Sequence, residues 1–454
     1  MRRSFVIFAV LAFLVSCTRD DNFSFKRSDN TGLAASWVSE TRVESDYTRN
    51  VMLLYSAGFN TLASYLDEDI RELDLGFVPE KGNKADHILL VYSKLTSRNA
   101  DSGSLTQNFK VPTESVLFRI YKESGKVVHD TLKVWGTDVD ACNPQTLHDV
   151  LQFVYDRFPA KGYGMIFSSH ATGWLPSGYY ADPSKFEGQS YNGGIEWAPS
   201  GRRMATQGSY PEIRPLLPVK SIGQDNIPDA PLEMELDDFA NAIPFRLDYI
   251  ILDACLSGCV EVAYQLRGKA DVIGFSQTEV LADGFEYPTI AGCLLKNDPD
   301  PVLVCRNYFE YYDTYLERNP GARSDYRSAT ISAIDTRKMD ALAEVCKSLF
   351  EKYREQIKSL NGYKVQGFFQ YQRHYFYDLK DVLVKAGMTS EEQAALDAAL
   401  DQCVLYKAAT DHFLSIKINT DCGLSMYLPS MGSTYLDGFY QSRIAWNGAT
   451  ELVK

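Results

Sequence analysis

Leu247-Asp-Tyr-Ile-Ile-Leu252 runs into Asp253-Ala-Cys-Leu-Ser257 and then into Val260-Glu-Val-Ala-Tyr264. The first piece is a short apolar run of strand length, as a strand covered on both faces requires. The last continues as a helix to about Leu266. Cys255 therefore stands at the junction of a buried strand and the start of a helix. Similar apolar runs occur on either side: Val51 to Ser56, His87 to Ser93, Tyr163 to Ser168 and Asp271 to Ser276. The periodicity predicts helices between them, over Asn60 to Leu73 and from Asn143-Pro144 to about Phe158. Leu117 to Tyr121 and Lys126 to Val134 read as a hairpin about Ser124-Gly125. Strands that alternate with helices predict an α/β fold with a mainly parallel sheet flanked by helices on both faces.

Beyond Asn297 the pattern becomes helical, over Val302 to Tyr315, Thr336 to Ile357, Phe376 to Ala386 and Glu391 to Cys403. Two β-like pieces interrupt it, Ser328 to Ile334 and Gly423 to Pro429. This divides the chain into a core over 45–297 and a helix-rich C-terminal region over 298–454 that contributes strands to the core. A Gly-, Pro-, Tyr- and Ser-rich insert over about 175–234 breaks the core pattern, and a loop of that length is usually functional.

At the N-terminus, Arg2 and Arg3 precede an apolar run, Phe5 to Val15, too short to span a bilayer and shaped like a signal peptide. It ends in Leu14-Val-Ser-Cys17, which resembles the bacterial lipobox. Residues 1–17 are then a lipoprotein signal, Cys17 the lipidated residue and 18–44 a polar tether. The expected location is the cell envelope, attached to the outer membrane and either periplasmic or surface-exposed. The formal charge of −13 argues against a nucleic-acid partner. It suits cationic substrates, and equally a solvated acidic surface. The other eight cysteines are dispersed, with no disulfide framework and no paired metal-ligand spacing beyond Cys255-x-x-x-Cys259.

In an open parallel sheet, ligands bind beyond the carboxyl ends of the strands. His170 and Cys255 each follow the end of a predicted buried strand. If those strands are neighbours, thiol and imidazole face each other, the arrangement for acyl transfer. A helix start and a nearby imidazole would also lower the thiol pKa. The competing reading of Cys255 is a small buried core residue. No Walker A, dinucleotide, His-Glu-x-x-His or Gly-x-Ser-x-Gly pattern is present.

At these residues the sequence resembles the clostripain family of cysteine peptidases. The resemblance rests on Val51 to Asn60, on Phe158-Pro-Ala-Lys-Gly-Tyr-Gly164 leading into Ser169-His-Ala-Thr-Gly-Trp174, and on Asp253 to Ser257 with Val260 to Tyr264. Ser276 with Asp283-Gly-Phe-Glu-Tyr287, Ser328 to Asp335 and Cys422 to Pro429 extend it. It implies a caspase-like fold and a Cys–His dyad of Cys255 and His170. It implies cleavage of proteins or peptides after Arg, and less readily Lys. Asp253 and Asp283 match the family's pocket acids, and Ser276 and Trp174 are further expected substrate-binding positions. Asp253 reads equally as the N-cap of the following helix, Asp283 as a turn residue and Trp174 as a core residue. Ala171 stands where the family usually has Gly, and its N–H is expected to join that of Cys255 in holding the oxyanion. Ser257 replaces the family's Met. Arg202 and Arg203 in the insert are candidates for self-cleavage. No cofactor is implied; calcium assists some members, and the sequence shows no ligand cluster for it. The alternative is a non-catalytic surface binding protein on a peptidase-like fold.

Overall fold

Strand β1 (Asn50–Gly58) is buried along all nine of its residues. Its alternate side chains enter two separate cores, Val51, Leu53 and Tyr55 on one face and Met52 and Leu54 on the other. That division follows from the two-residue repeat of a strand and requires helices on both faces. The computed structural model describes residues 47–82, 87–98, 107–180, 183–187, 221–225, 232–369 and 375–454. The signal segment, Cys17, the whole of the tether, and Arg202 and Arg203 lie outside the described residues.

The other strands of the central sheet are β2 (Ile88–Arg98), β3 (Gln107–Pro112), β4 (Ser115–Glu123), β5 (Lys126–Gly136), β6 (Gly162–Ser168), β7 (Leu247–Asp253), β8 (Ala270–Phe275), β9 (Thr330–Asp335) and β10 (Val404–Ala409). Among the described residues they form one ten-stranded sheet in the order β10-β9-β8-β7-β6-β1-β2-β4-β5, with β3 paired to β2. The five central strands, β8-β7-β6-β1-β2, run parallel. The additions at both edges are antiparallel. The fold is thus the mainly parallel, helix-flanked sheet that the sequence predicts.

Helix α1 (Ala63–Glu72) covers one face, with α4 (Tyr287–Leu294) and α5 (Pro301–Asp313) beside it. On the other face α2 (Pro144–Arg157) buries Leu147, Val150, Leu151 and Val154, a stripe at helical spacing. Asn143 caps α2 by accepting from the Gln145 N–H, and Pro144 occupies the first turn. The hairpin β4–β5 turns through Ser124 and Gly125, both at positive φ.

Several boundaries differ from the sequence reading. The helix after Cys255 is α3 (Val260–Gln265), with Cys259 rather than Asp253 at its N-cap. Residues 254–259 form a separate turn, in which Leu256 takes a positive φ of 56°. Of the β-like piece Gly423 to Pro429, only Ser425–Met426 is a strand, and it pairs with Tyr377–Asp378 outside the central sheet. The helix expected from Phe376 begins at Leu379, capped by Asp378. Strand β10 has only a weak sequence signal: Val404-Leu-Tyr-Lys-Ala-Ala409 lies at the sheet edge, where no side needs an apolar run.

Candidate active site

Strands β6 and β7 pair in parallel with Ser168 opposite Asp253. His170 and Cys255 each lie two residues beyond that pair. The last bond across the strands, from the Ser169 N–H to the Asp253 carbonyl, spans 3.3 Å. The register alone therefore brings imidazole and thiol to the same end of the sheet. Both line one cavity, with Asp253, Asp69, Leu66 and Leu281. Its volume is about 20 Å³, room for roughly one water. A larger cleft of about 550 Å³ opens elsewhere, along Gly362–Gly367 and Ile416. It holds neither thiol nor imidazole among its lining residues and has no part in this site.

The turn after β1 reaches the imidazole. Asn60 ties its amide to the Ala57 carbonyl at 2.9 Å and its Oδ1 accepts from the Leu62 N–H at 2.8 Å. The adjacent Thr61 Oγ1 lies 2.9 Å from His170 Nε2. This contact fixes the ring's orientation, as a hydrogen bond to one ring nitrogen does for the other. Cys255 is 6% exposed. Its Sγ accepts from the Val280 N–H at 3.4 Å and lies 3.8 Å from the Val280 carbonyl oxygen. Burial first, then the charges of Glu279 and Asp253, pushes the thiol up to about 12. The sequence reading expected a lowered pKa from a helix start. That helix begins five residues later, and the thiol sits instead in a desolvated turn beside acidic groups.

Asp253 Oδ2 accepts from Tyr287 OH at 2.8 Å and from Ser168 Oγ at 3.1 Å. Burial pushes its carboxyl up to about 6, against the lowering effect of those two donors. Gly284, at a φ of 63°, approaches so closely that a Cβ there would stand 3.0 Å from Asp253 Oδ2. Asp283 precedes it, exposed, in a turn closed by the Gly284 N–H on the Leu281 carbonyl. Both neighbours of Asp283, Ala282 and Gly284, line the cavity.

Ala171 is fully buried, and its φ is not positive. It forms a bridge with Ile222 whose bonds run from Thr172 and Gly223, so that bridge leaves the Ala171 N–H unused. Two expected substrate-binding residues stand apart from the cavity lining. Trp174 is fully buried against Tyr427 and Tyr440, a core position. Ser276 is fully buried and hydrogen-bonded to Thr330 and Thr278. Tyr427 and Tyr440 cover Trp174, and Thr330 holds Ser276, so neither lines this cavity. Among the described residues, no group of three His, Cys, Asp or Glu side chains is placed to hold a metal ion. Sequence reasoning missed Thr61, Asp69 and Glu279. Asp69 had a detectable signal: it is a carboxylate in register with the apolar stripe of α1.

A model of the clostripain family matches residues 213–448, more than half of the chain. The chain belongs to the clostripain family. It is a cysteine peptidase, a hydrolase of peptide bonds. The match to the family includes Asp253, Cys255 and Asp283 and begins after His170. No curated protein matches the chain. Among solved structures, the inactive zymogen of a C11 protease from Parabacteroides distasonis is similar over 90% of this chain and 99% of its own, at 24% identity and a TM-score of 0.66. A secreted C11 cysteine protease from Bacteroides thetaiotaomicron, in complex with an irreversible peptide inhibitor, is similar over 88% and 99%, at 21% identity and 0.66. At these identities the two likenesses concern the fold.

Proposed function

We propose that this family member is an endopeptidase that cleaves after Arg, and less readily Lys, through a dyad of Cys255 and His170. The observation that carries the reading is the single cavity lined by thiol, imidazole and the Asp253 carboxylate at the carboxyl end of the parallel sheet. The thiol is protonated at rest, so the thiol proton passes to the His170 imidazole as sulfur attacks the peptide carbonyl carbon. The oxyanion accepts from the N–H groups of Ala171 and Cys255. His170 then gives its proton to the leaving amine, and the acyl group stays on Cys255 as a thioester. Water, deprotonated by the same imidazole, clears the thioester and restores the thiol.

A cationic side chain before the scissile bond calls for buried carboxylates with apolar walls for its stem. Asp253 is such a carboxylate, and Asp283 stands on the neighbouring turn. The test is hydrolysis of fluorogenic peptides ending in Arg, Lys, Asp or Leu by the protein from Asp20 onward, beside Cys255→Ala. Arg-selective cleavage that disappears in the variant is expected. Cleavage that survives Cys255→Ala, or that prefers Asp or Leu, overturns the assignment.

We further propose that Cys17 is lipidated and holds the enzyme at the outer membrane, with 18–44 as tether. The support is the lipobox-like end of the apolar leader; the similar protease from Bacteroides thetaiotaomicron is described as secreted. Metabolic labelling with an alkynyl fatty acid should mark the full chain and not Cys17→Ser. Equal labelling of both, or of neither, overturns it.

A further inference from the structure

Helix α1 buries Ala63, Leu66, Asp69 and Ile70, and its continuation buries Leu73. Asp69 is the one charged member of that stripe. It is only 5% exposed, its carboxyl opens onto the cavity, and no hydrogen-bond donor among the described residues offsets its burial. A buried carboxylate without a donor costs several kcal/mol when ionised. Native structures rarely keep one unless it serves a partner. Asp69 lines the same cavity as Cys255, His170 and Asp253. Its carboxyl is raised well above the usual range, by burial first and then by the charges of Asp253, Glu72 and Asp283. Leu62, Leu66 and Leu281 provide apolar surface beside it.

We propose that Asp69 is a third specificity carboxylate, which together with Asp253 receives the guanidinium of an arginine bound before the scissile bond. The proposal rests on the Arg-directed reading above and adds a residue on a different element from the other two acids. The two buried carboxylates differ in what they lack. Asp253 already takes two donors, Tyr287 and Ser168, on Oδ2. Asp69 takes none, so it has the larger unmet need for donors. Their spacing suits no metal ion together with a third ligand among the described residues. A guanidinium presents five N–H donors in a planar fork and can bond two carboxylates at once. An ammonium is a compact point charge with three donors. Asp69 is thereby a discriminator of Arg from Lys as well as a counter-charge. In the empty enzyme burial and the neighbouring Asp253 disfavour its charge, so the ionised group costs stability.

Asp69→Asn, in the protein from Asp20 onward, tests this with three readouts. Hydrolysis of the Arg peptide should lose at least about 30-fold in kcat/KM, mainly through KM, as deletion of one member of a buried charge pair does. The Lys peptide should lose several-fold less. The rate at which iodoacetamide alkylates Cys255 should stay within about two-fold, and Tm should hold or rise. A structural role would instead lower Tm and depress both peptides alike. Arg hydrolysis within about three-fold of the parent, or an equal loss on Arg and Lys, overturns the proposal while leaving the Arg-directed reading intact. A parent enzyme without Arg preference overturns that reading, and this proposal with it. If Asp69→Asn does not fold, Asp69→Glu displaces the charge and must change the Arg-to-Lys ratio; an unchanged ratio overturns the assignment.

Discussion

The Cys255 thiol rests against the main chain of Val280, and Glu279, fully buried, stands next in line. A negative charge near sulfur opposes the thiolate, so after burial it is the largest influence holding the proton on. Removing that charge has a definite sign. In Glu279→Gln the thiolate forms at lower pH, and alkylation by iodoacetamide at pH 8 should quicken by roughly three- to ten-fold. A pH–alkylation profile superimposable on the parent's would show that Glu279 does not act on the thiol. The acidic surroundings of Cys255 thus serve two opposed ends. They hold the proton on the resting thiol and, under the Arg-directed reading proposed above, offer negative charge that a cationic substrate would neutralise.

Strands β6 and β7 hold the site together, because their register sets where His170 and Cys255 emerge. Gly164 on β6 lies opposite Tyr249 on β7, and a Cβ at Gly164 would stand 1.9 Å from the Tyr249 ring. The missing side chain lets the ring lie flat against the neighbouring strand, so the two strands stay in contact. Gly164→Ala must displace either the ring or the strand. We expect a loss of about 1–3 kcal/mol, read as a lower Tm, with a larger fractional loss of kcat than of folded protein. A variant with parental Tm and kcat would show that this approach does not constrain the site. The turn 254–259 acts similarly at the other end. Leu256 holds a left-handed conformation, costly for a residue with a Cβ, and its N–H donates to the Thr278 carbonyl at 2.8 Å. That strain separates the nucleophile from the helix that follows it.

At the scale of the molecule, the fold buries carboxyls that would ionise freely in the unfolded chain. Asp225 and Asp253 are each pushed up to about 6, burial being the first cause for both, and Glu235 to about 7. A carboxyl with a raised folded-state pKa binds more protons folded than unfolded between its two values. Its contribution to stability is full below about pH 4 and fades as pH rises through 6 to 7. For Asp225, which is fully buried, the change is on the order of 3 kcal/mol. The urea midpoint should therefore fall between pH 4.5 and 7.5, and Asp225→Asn should flatten the decline. A midpoint that rises across that window would contradict the burial of these groups. Exposed acids pull the other way: Glu392 and Glu451 are lowered to about 2 by lysine partners, but salt screens such pairs.

The order of strands and helices, and the location of His170 and Cys255 just past two strand ends, followed from sequence alone. Apolar runs of strand length and stripes at helical spacing are local properties, and a fully buried parallel strand cannot be written without them. The clostripain resemblance was legible for the same reason, since its motifs sit at those strand ends. Four features depended on tertiary structure. The edge strand β10 forms because β9 offers it unpaired backbone groups. Cys255 falls in a turn rather than at a helix start because the chain first pairs Leu256 with Thr278 and Gly258 with Ser276. Trp174 and Ser276 are covered by residues from the C-terminal half, far away in sequence. Asp69 enters the site only when α1 packs over β1 and β2; its place in the apolar stripe of α1 marks it as inward-facing, but not which residues it meets. Local periodicity determines which residues turn inward. Which of them meet is decided by packing between segments distant in sequence, and that is where the polar partners of the site were assigned.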